Sequence, residues 1–245
     1  MRKKTEHFTY HAPVRVIAII GCDGSGKSTL ASNLVTYLSL SEPTELLYLG
    51  QSSGRIGEWI STLPLIGAPF GRYLRAKASQ VHHSSFVAPG AVTALVIYLL
   101  SCWRACKFKR MLVKSKQGCL LVTDRYPQTD VAGFRFDGPQ LVKSAGGSWW
   151  VRTLRKRERK MYQWMASYPP MLVIRLDIDA DTAHLRKPDH SLQALREKSE
   201  VIPHLNFKGA VICDLNARNS ADSVFKEALR LIEMFINLKA EKEIA

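Results

Sequence analysis

A chain of 245 residues, 46% of them hydrophobic, is long enough for one α/β domain with an insertion and too apolar to stay disordered. Its 35 Lys and Arg against 21 Asp and Glu give a formal charge of +14, more than an enzyme handling two polyanionic nucleotides requires. The surplus leaves nucleic acid or an anionic membrane surface open as a partner, although neither is favoured over a soluble domain. Five scattered cysteines (Cys22, Cys102, Cys106, Cys119 and Cys213) show no metal-site spacing beyond a loose Cys102-x-x-x-Cys106, which at helical spacing reads as core packing, so a reduced, cytoplasmic protein is expected.

The basic N-terminal stretch 1–13 precedes residues 14–20 (VRVIAII), a β-branched run of the length of a buried parallel strand. That run leads directly into a glycine loop, which a signal-peptide cleavage there would destroy, so none is expected. The loop, Gly21-Cys22-Asp23-Gly24-Ser25-Gly26-Lys27-Ser28-Thr29, fits the G-x-x-x-x-G-K-[ST] pattern. Its glycines let the backbone close around a phosphate, Lys27 supplies positive charge for the β- and γ-phosphates, and Ser28 offers a hydroxyl to Mg²⁺. Leu30, Leu34 and Leu38, with Val35, then recur as on one helix face. A strand, a glycine loop and a helix whose N-terminus faces the anion together predict a nucleoside triphosphate site.

Residues 45–49 (ELLYL) predict a second, short strand. The stretch 52–90 is poorly patterned, and its adjacent His82 and His83 read as surface residues rather than metal ligands. An apolar run of 17 residues, 86–102, is followed by Arg104, Lys107, Lys109, Arg110, Lys114 and Lys116. It falls short of the roughly 20 residues a span needs, and Pro89-Gly90 shortens it further, so a buried core helix with a basic extension is expected.

Residues 119–123 (CLLVT) predict a third strand, ending in Asp124-Arg125-Tyr126. A carboxylate there suits Mg²⁺ or its water, and the Arg125 guanidinium suits bridging phosphates during phosphoryl transfer. The basic run 152–160 reads as a solvated helix face. Residues 171–176 (MLVIRL), ending in Asp177, and 211–213, ending in Asp214, complete five strands. Strands alternating with helices predict a mostly parallel sheet covered on both faces, with ligands beyond the strands' C-terminal ends. Between the last two strands, Asp181 and Ser191 are expected to cap two short helices carrying Arg186, Lys187, Arg196 and Lys198, separated by Pro188. This basic, hinged pair suits a lid over phosphates. Phe225, Leu229, Ile232 and Phe235 mark a C-terminal packing helix.

The loop GCDGSGKST, the triplet Asp124-Arg125-Tyr126, the lid-like segment after LDID and the segment CDLNARNSADSV resemble the thymidylate kinase family of P-loop nucleoside monophosphate kinases. The resemblance spans about residues 14–235 and aligns poorly in its middle third. It implies a single P-loop domain over 1–245: a three-layer fold with a five-stranded parallel sheet, an acceptor-side helical insertion over about 52–116 and a lid over about 181–200. It also implies Mg-ATP as donor and a nucleoside monophosphate as acceptor, with dTMP first among candidates. By the same resemblance Asp23 reaches the acceptor's 3′-hydroxyl, and Gly24 stands where some members carry arginine. That moves the catalytic arginine to the lid, with Arg186 leading and Lys187 and Arg196 behind it. Arg104 and Tyr126 would meet the acceptor, while Asn216, Ala217 and Arg218 would lie against adenine.

The sequence departs from the family at Pro127-Gln128-Thr129-Asp130 and Gly133, at the lid segment RKPDHS, and at Phe136-Asp137-Gly138-Pro139, which has no assigned role. A phosphorylated sugar or lipid head group as acceptor, a nucleotide-binding module docking nucleic acid or membrane, and a homodimer therefore stay open.

Overall fold

The computed structural model describes residues 11–50, 90–133, 136–143 and 148–244. Residues 1–10 of the basic extension and 51–89 of the expected insertion, including His82 and His83, lie outside the described residues. Five strands, β1 (Val14–Gly21), β2 (Thr44–Tyr48), β3 (Leu120–Asp124), β4 (Pro170–Asp177) and β5 (Ile212–Asn216), form one sheet in the order β2-β3-β1-β4-β5. All four pairings are parallel. Six α-helices stand among the described residues: α1 (Lys27–Leu38), α2 (Ala91–Lys116), α3 (Trp149–Ala166), α4 (Ala180–Arg186), α5 (Leu192–Val201) and α6 (Ala221–Ile244). The result is a three-layer α/β arrangement of the P-loop NTPase kind.

The sheet explains why β1 reads as an unbroken apolar run. Ile17 and Ile19 face the layer of α1 and α6, whereas Val16 and Ala18 face α2 and α3, and all four are fully buried. The strand ends differ from the sequence reading by one to three residues. The largest difference is at β5, because Asp214 and Asn216 are polar yet still pair with Arg175 and Asp177 of β4. Asp214 accordingly faces the Arg175 guanidinium instead of ending its strand at the ligand edge. Register places Ile19 opposite Asp124 and Gly21 opposite Leu176, so the phosphate-binding loop emerges between β3 and β4. That crevice at the strands' C-terminal ends is where an open parallel sheet binds its ligands.

Helix α2 is only half a core helix. Ile97, Ser101, Arg104, Phe108 and Met111 are buried, while Leu95, Leu99 and Trp103 on the outward face stay about half exposed. It belongs to an outer layer, and an outer helix buries one stripe alone. The basic run of α3 is likewise not wholly solvated, because Glu158 in its middle turns inward and is fully buried. Its carboxylate accepts hydrogen bonds from the Ser101 hydroxyl (2.9 Å) and the backbone N–H groups of Gln140 (3.2 Å) and Leu141 (2.8 Å). One buried carboxylate thus fastens α2, α3 and the 3₁₀ turn Leu141–Lys143 together.

Glu158→Ala strands three donors in a dry layer and should cost about 3 kcal/mol of stability in urea unfolding, whereas Glu158→Gln, which keeps one acceptor oxygen, should cost less. Equal stability of the alanine variant and the parent chain would contradict this fastening.

Candidate nucleotide site at the phosphate-binding loop

Gly26 caps the start of α1 with φ 91°, and the first turn of the helix carries neither an acidic residue nor a side-chain cap. Its unpaired N–H groups and dipole therefore point into the loop, ready for an anion. The Lys27 ammonium sits inside the same loop and donates to the Cys22 carbonyl at 2.7 Å. Burial pushes its pKa down, against the opposing pull of Asp124 and Asp23. Gly24 has φ 86°, and a Cβ there would lie 2.5 Å from the Ala183 carbonyl oxygen of α4. Helix α4 packs directly on the loop at this point, which is why glycine stands where the resemblance offers arginine.

Asp23 is the meeting point of the site. Its carboxylate accepts a hydrogen bond from the Lys198 ammonium of α5 and pairs with the Arg125 guanidinium at 3.4 Å. His190 Nδ1 lies 3.9 Å away. Burial alone would raise the Asp23 pKa, but Lys198, Lys27 and Arg125 overcome it and hold the carboxyl well below the usual range. Asp124, ending β3, has its Oδ1 buried with no hydrogen-bond partner among the described residues. Burial raises its pKa, while Lys27 and Arg125 pull the other way. With the exposed Ser28 hydroxyl at the start of α1, that orphaned oxygen gives a small hard-oxygen donor set, which suits Mg²⁺ since this ion keeps most of its own water. No cluster of three His, Cys, Asp or Glu with metal-site geometry occurs among the described residues.

Arg104 stands elsewhere than expected. Its side chain is 2% exposed, donates to the Arg125 carbonyl and bonds Asp137 Oδ1 at 3.0 Å. It therefore holds the backbone of Arg125, which turns through φ 65° directly after β3, instead of presenting itself to an acceptor. Tyr126 is also buried, its hydroxyl donating to the Tyr168 carbonyl at 2.6 Å, so only its ring borders the pocket. The departures after Tyr126 have local structural roles. Gln128 staples its own loop through the Val131 and Phe136 carbonyls (2.7 and 2.6 Å), and Asp130 accepts from the N–H groups of Asn206 (3.1 Å) and Phe207 (3.4 Å).

Two short helices stand where the sequence reading expects them, with different partners. Asp179, not Asp181, caps α4: it accepts from the Thr182 N–H and hydroxyl and the Arg218 Nε–H, each at 2.8 Å. These bonds lower its carboxyl pKa to about 2, the Thr182 N–H contributing most. Asp181 instead pairs with Arg196 at 3.4 Å, and Ser191 caps α5 as its position implies. Arg186 donates to the carbonyls of Ala217 (2.8 Å) and Arg218 (3.4 Å), away from Asp23. Lys187 is exposed at the end of α4. The cation of this helical pair that reaches Asp23 is thus Lys198. Its signal in the sequence was a lysine one helical step from Leu195 on the buried face, since both residues are buried.

Two of the spaces that border the loop among the described residues matter for a ligand there. A cavity of about 310 Å³ is bordered by Ser25, Gly26, Thr29, Asn33, Arg186 and Arg218, with Ala217 alongside. A much tighter space of about 30 Å³ lies between Asp23, Lys27, Asp124, Arg125, Asp137 and Lys198.

Because the folded-state pKa of Asp23 is depressed, its pairing stabilises the fold above the ordinary carboxylate pKa and is lost as pH falls through the folded value. Lys198→Met should therefore lower the melting temperature near neutral pH, and its deficit against the parent chain should shrink as the medium is acidified below pH ~4. A deficit independent of pH would show that Lys198 acts by packing alone.

No protein-family model matches the chain. It is 62% identical over 232 residues to the uncharacterized ATP-binding protein YghS of Escherichia coli (strain K12), covering 95% of this chain and 98% of that one. It is 38% identical over 220 residues to the uncharacterized ATP-binding protein YghR of the same strain, covering 89% of this chain and 87% of the other. The phosphate-binding loop and these two full-length likenesses together place the chain in the family of the ATP-binding P-loop proteins YghS and YghR.

Proposed function

We propose that the chain binds ATP at the loop Gly21–Thr29 and transfers its γ-phosphoryl group to a nucleoside monophosphate, with dTMP first among candidates. The observation that carries this reading is the carboxylate of Asp23, held inside the phosphate-binding loop by Lys198 and Arg125. A carboxylate beside a triphosphate repels it, so a site that only binds or hydrolyses ATP gains nothing from one there. It borders the tight space beside Arg125 and Asp137, where it is placed to accept a hydrogen bond from a hydroxyl of a second ligand. The names of YghS and YghR support ATP as the first ligand.

In this reading the backbone of Gly21, Gly24, Ser25, Gly26 and Thr29 cradles the phosphates, and Lys27 leaves the Cys22 carbonyl for the β- and γ-oxygens. Adenine occupies the larger cavity beside Ala217 and Arg218, with Arg186 above the entrance. Arg125, held by Arg104 and kept charged, neutralises the migrating group across the loop. Asp124 and Ser28 would hold Mg²⁺, which when bound neutralises charge on the β- and γ-phosphates. The acceptor phosphate is already an oxyanion, so no strong general base is required.

A second reading keeps the transfer and replaces the acceptor with a phosphorylated sugar or lipid head group. The use of Asp130 as a tether for Asn206 and Phe207, where the resemblance expects a base reader, favours it.

ADP release measured over a panel of nucleoside monophosphates decides between the two. Acceleration by dTMP or another member supports the first reading, and none by any member moves the acceptor outside nucleotides. Lys27→Ala should abolish turnover, and Arg125→Ala should lower kcat by about a thousandfold with little change in ATP affinity. Near-normal turnover in both variants would end the assignment of the site.

A further inference from the structure

Helix α2 is long and apolar enough to cross a membrane by length and composition. It does not cross one here, because Ile97, Phe108 and Met111 pack into the domain and Arg104 is buried at mid-helix. Its outward face is another matter. Val92, Leu95, Leu99 and Trp103 follow one another at spacings of three and four, a single stripe whose members are 44 to 52% exposed.

Helix α3 lengthens this stripe into a patch. Ala94 and Ile97 pack against Val151 and Leu154, Ser101 bonds Glu158, and Arg104 contacts the Tyr162 hydroxyl, so the two helices run side by side in the same direction. Their N-termini therefore share one end of the domain. There Trp149 and Trp150, 63% and 59% exposed, stand edge to face with ring centres 5.2 Å apart. The sole acid on either helix is the buried Glu158. Arg110, Lys116, Arg152, Lys156 and Arg159 are exposed on the same helices and make no ion pair among the described residues.

We propose that the outer face of α2 and α3 docks on an anionic phospholipid bilayer, lying among the headgroups without spanning. Aliphatic and indole side chains would enter the acyl boundary while the cations meet lipid phosphates. A second copy of the chain fits this face less well, since a two-fold contact sets the patch against itself and brings unrelieved cations together. A nucleic acid would satisfy the cations but leave Val92, Leu95 and Leu99 nothing apolar to bury against. The cavity beside Ser25, Asn33 and Val224 belongs to the opposite layer, so docking leaves it open to solvent. The proposal does not depend on the identity of the phosphoryl acceptor.

Flotation of the full chain with vesicles tests it. The chain should float with vesicles of phosphatidylglycerol and phosphatidylcholine in equal parts, far less with phosphatidylcholine alone, and less as salt rises. Each cation near such a surface strengthens binding by about fivefold, so replacing Arg152, Lys156 and Arg159 together by Gln should weaken it about a hundredfold. Leu99→Asp should abolish flotation while leaving the melting temperature and ATP binding unchanged. No flotation of the parent chain with either vesicle would overturn the proposal. So would self-association or nucleic-acid binding that Leu99→Asp removes, or a Leu99→Asp variant that melts early because the face is already covered.

Discussion

The contact between Asp23 and the Lys198 ammonium is the constraint on which the rest of the site depends. A carboxylate inside a phosphate-binding loop is tolerable only when cations surround it. Removing each ion from water costs several kcal/mol, and one close pair at an effective dielectric near 20 returns about 4 kcal/mol, so a single partner roughly breaks even. Arg125 and Lys27 supply the remainder, and together the three hold Asp23 ionised despite its burial. They come from the loop, the end of β3 and α5, so satisfying one carboxylate assembles the nucleotide-facing edge. The same arrangement draws α4 down onto the loop at Gly24, where no side chain has room.

Behind the edge stands a second layer of buried charge. Arg104 fixes the carbonyl of Arg125 and pairs with Asp137, while Glu158 locks α2 to α3 one turn away along the same interface. The guanidinium of Arg125 is therefore positioned through its own backbone, which passes through a left-handed turn immediately after the strand. Such a turn at a non-glycine residue is costly and persists where its surroundings hold it, and Arg104 is the group that does so here. The outer helices thus position the site with one face and leave an apolar, basic surface on the other.

Much of this was legible in the chain because local pattern and tertiary position agree. Residues 16–20 are buried on both sides, the loop spacing is set by backbone geometry, and Ser191 caps the helix its position implies. Where the sequence misled, a local signal was outbid by a distant partner. Asp181 resembles a cap, but Asp179 has the Thr182 and Arg218 donors within reach. Spacing likewise gave no sign that Lys198 of α5 would reach Asp23 while Arg186 of α4 bonds the carbonyls of Ala217 and Arg218. Glu158 reads as one charge in a solvated run until Ser101, fifty-seven residues earlier, is seen to meet it. Spacing reveals which face a residue shares but not which partner waits opposite.

The central claim is that Asp23 sits between two ligands joined through phosphate. The most direct measurement is calorimetric binding of a bisubstrate compound linking adenosine to thymidine through a phosphate chain, compared with ATP and with dTMP. The account predicts binding at least a hundredfold tighter than ATP alone, because one molecule reaches both the cavity beside Ala217 and the carboxylate of Asp23 for a single loss of translational freedom. It further predicts that Asp23→Asn erases most of that gain while ATP affinity is retained. A bisubstrate compound bound no more tightly than ATP, or one indifferent to Asp23, would contradict it.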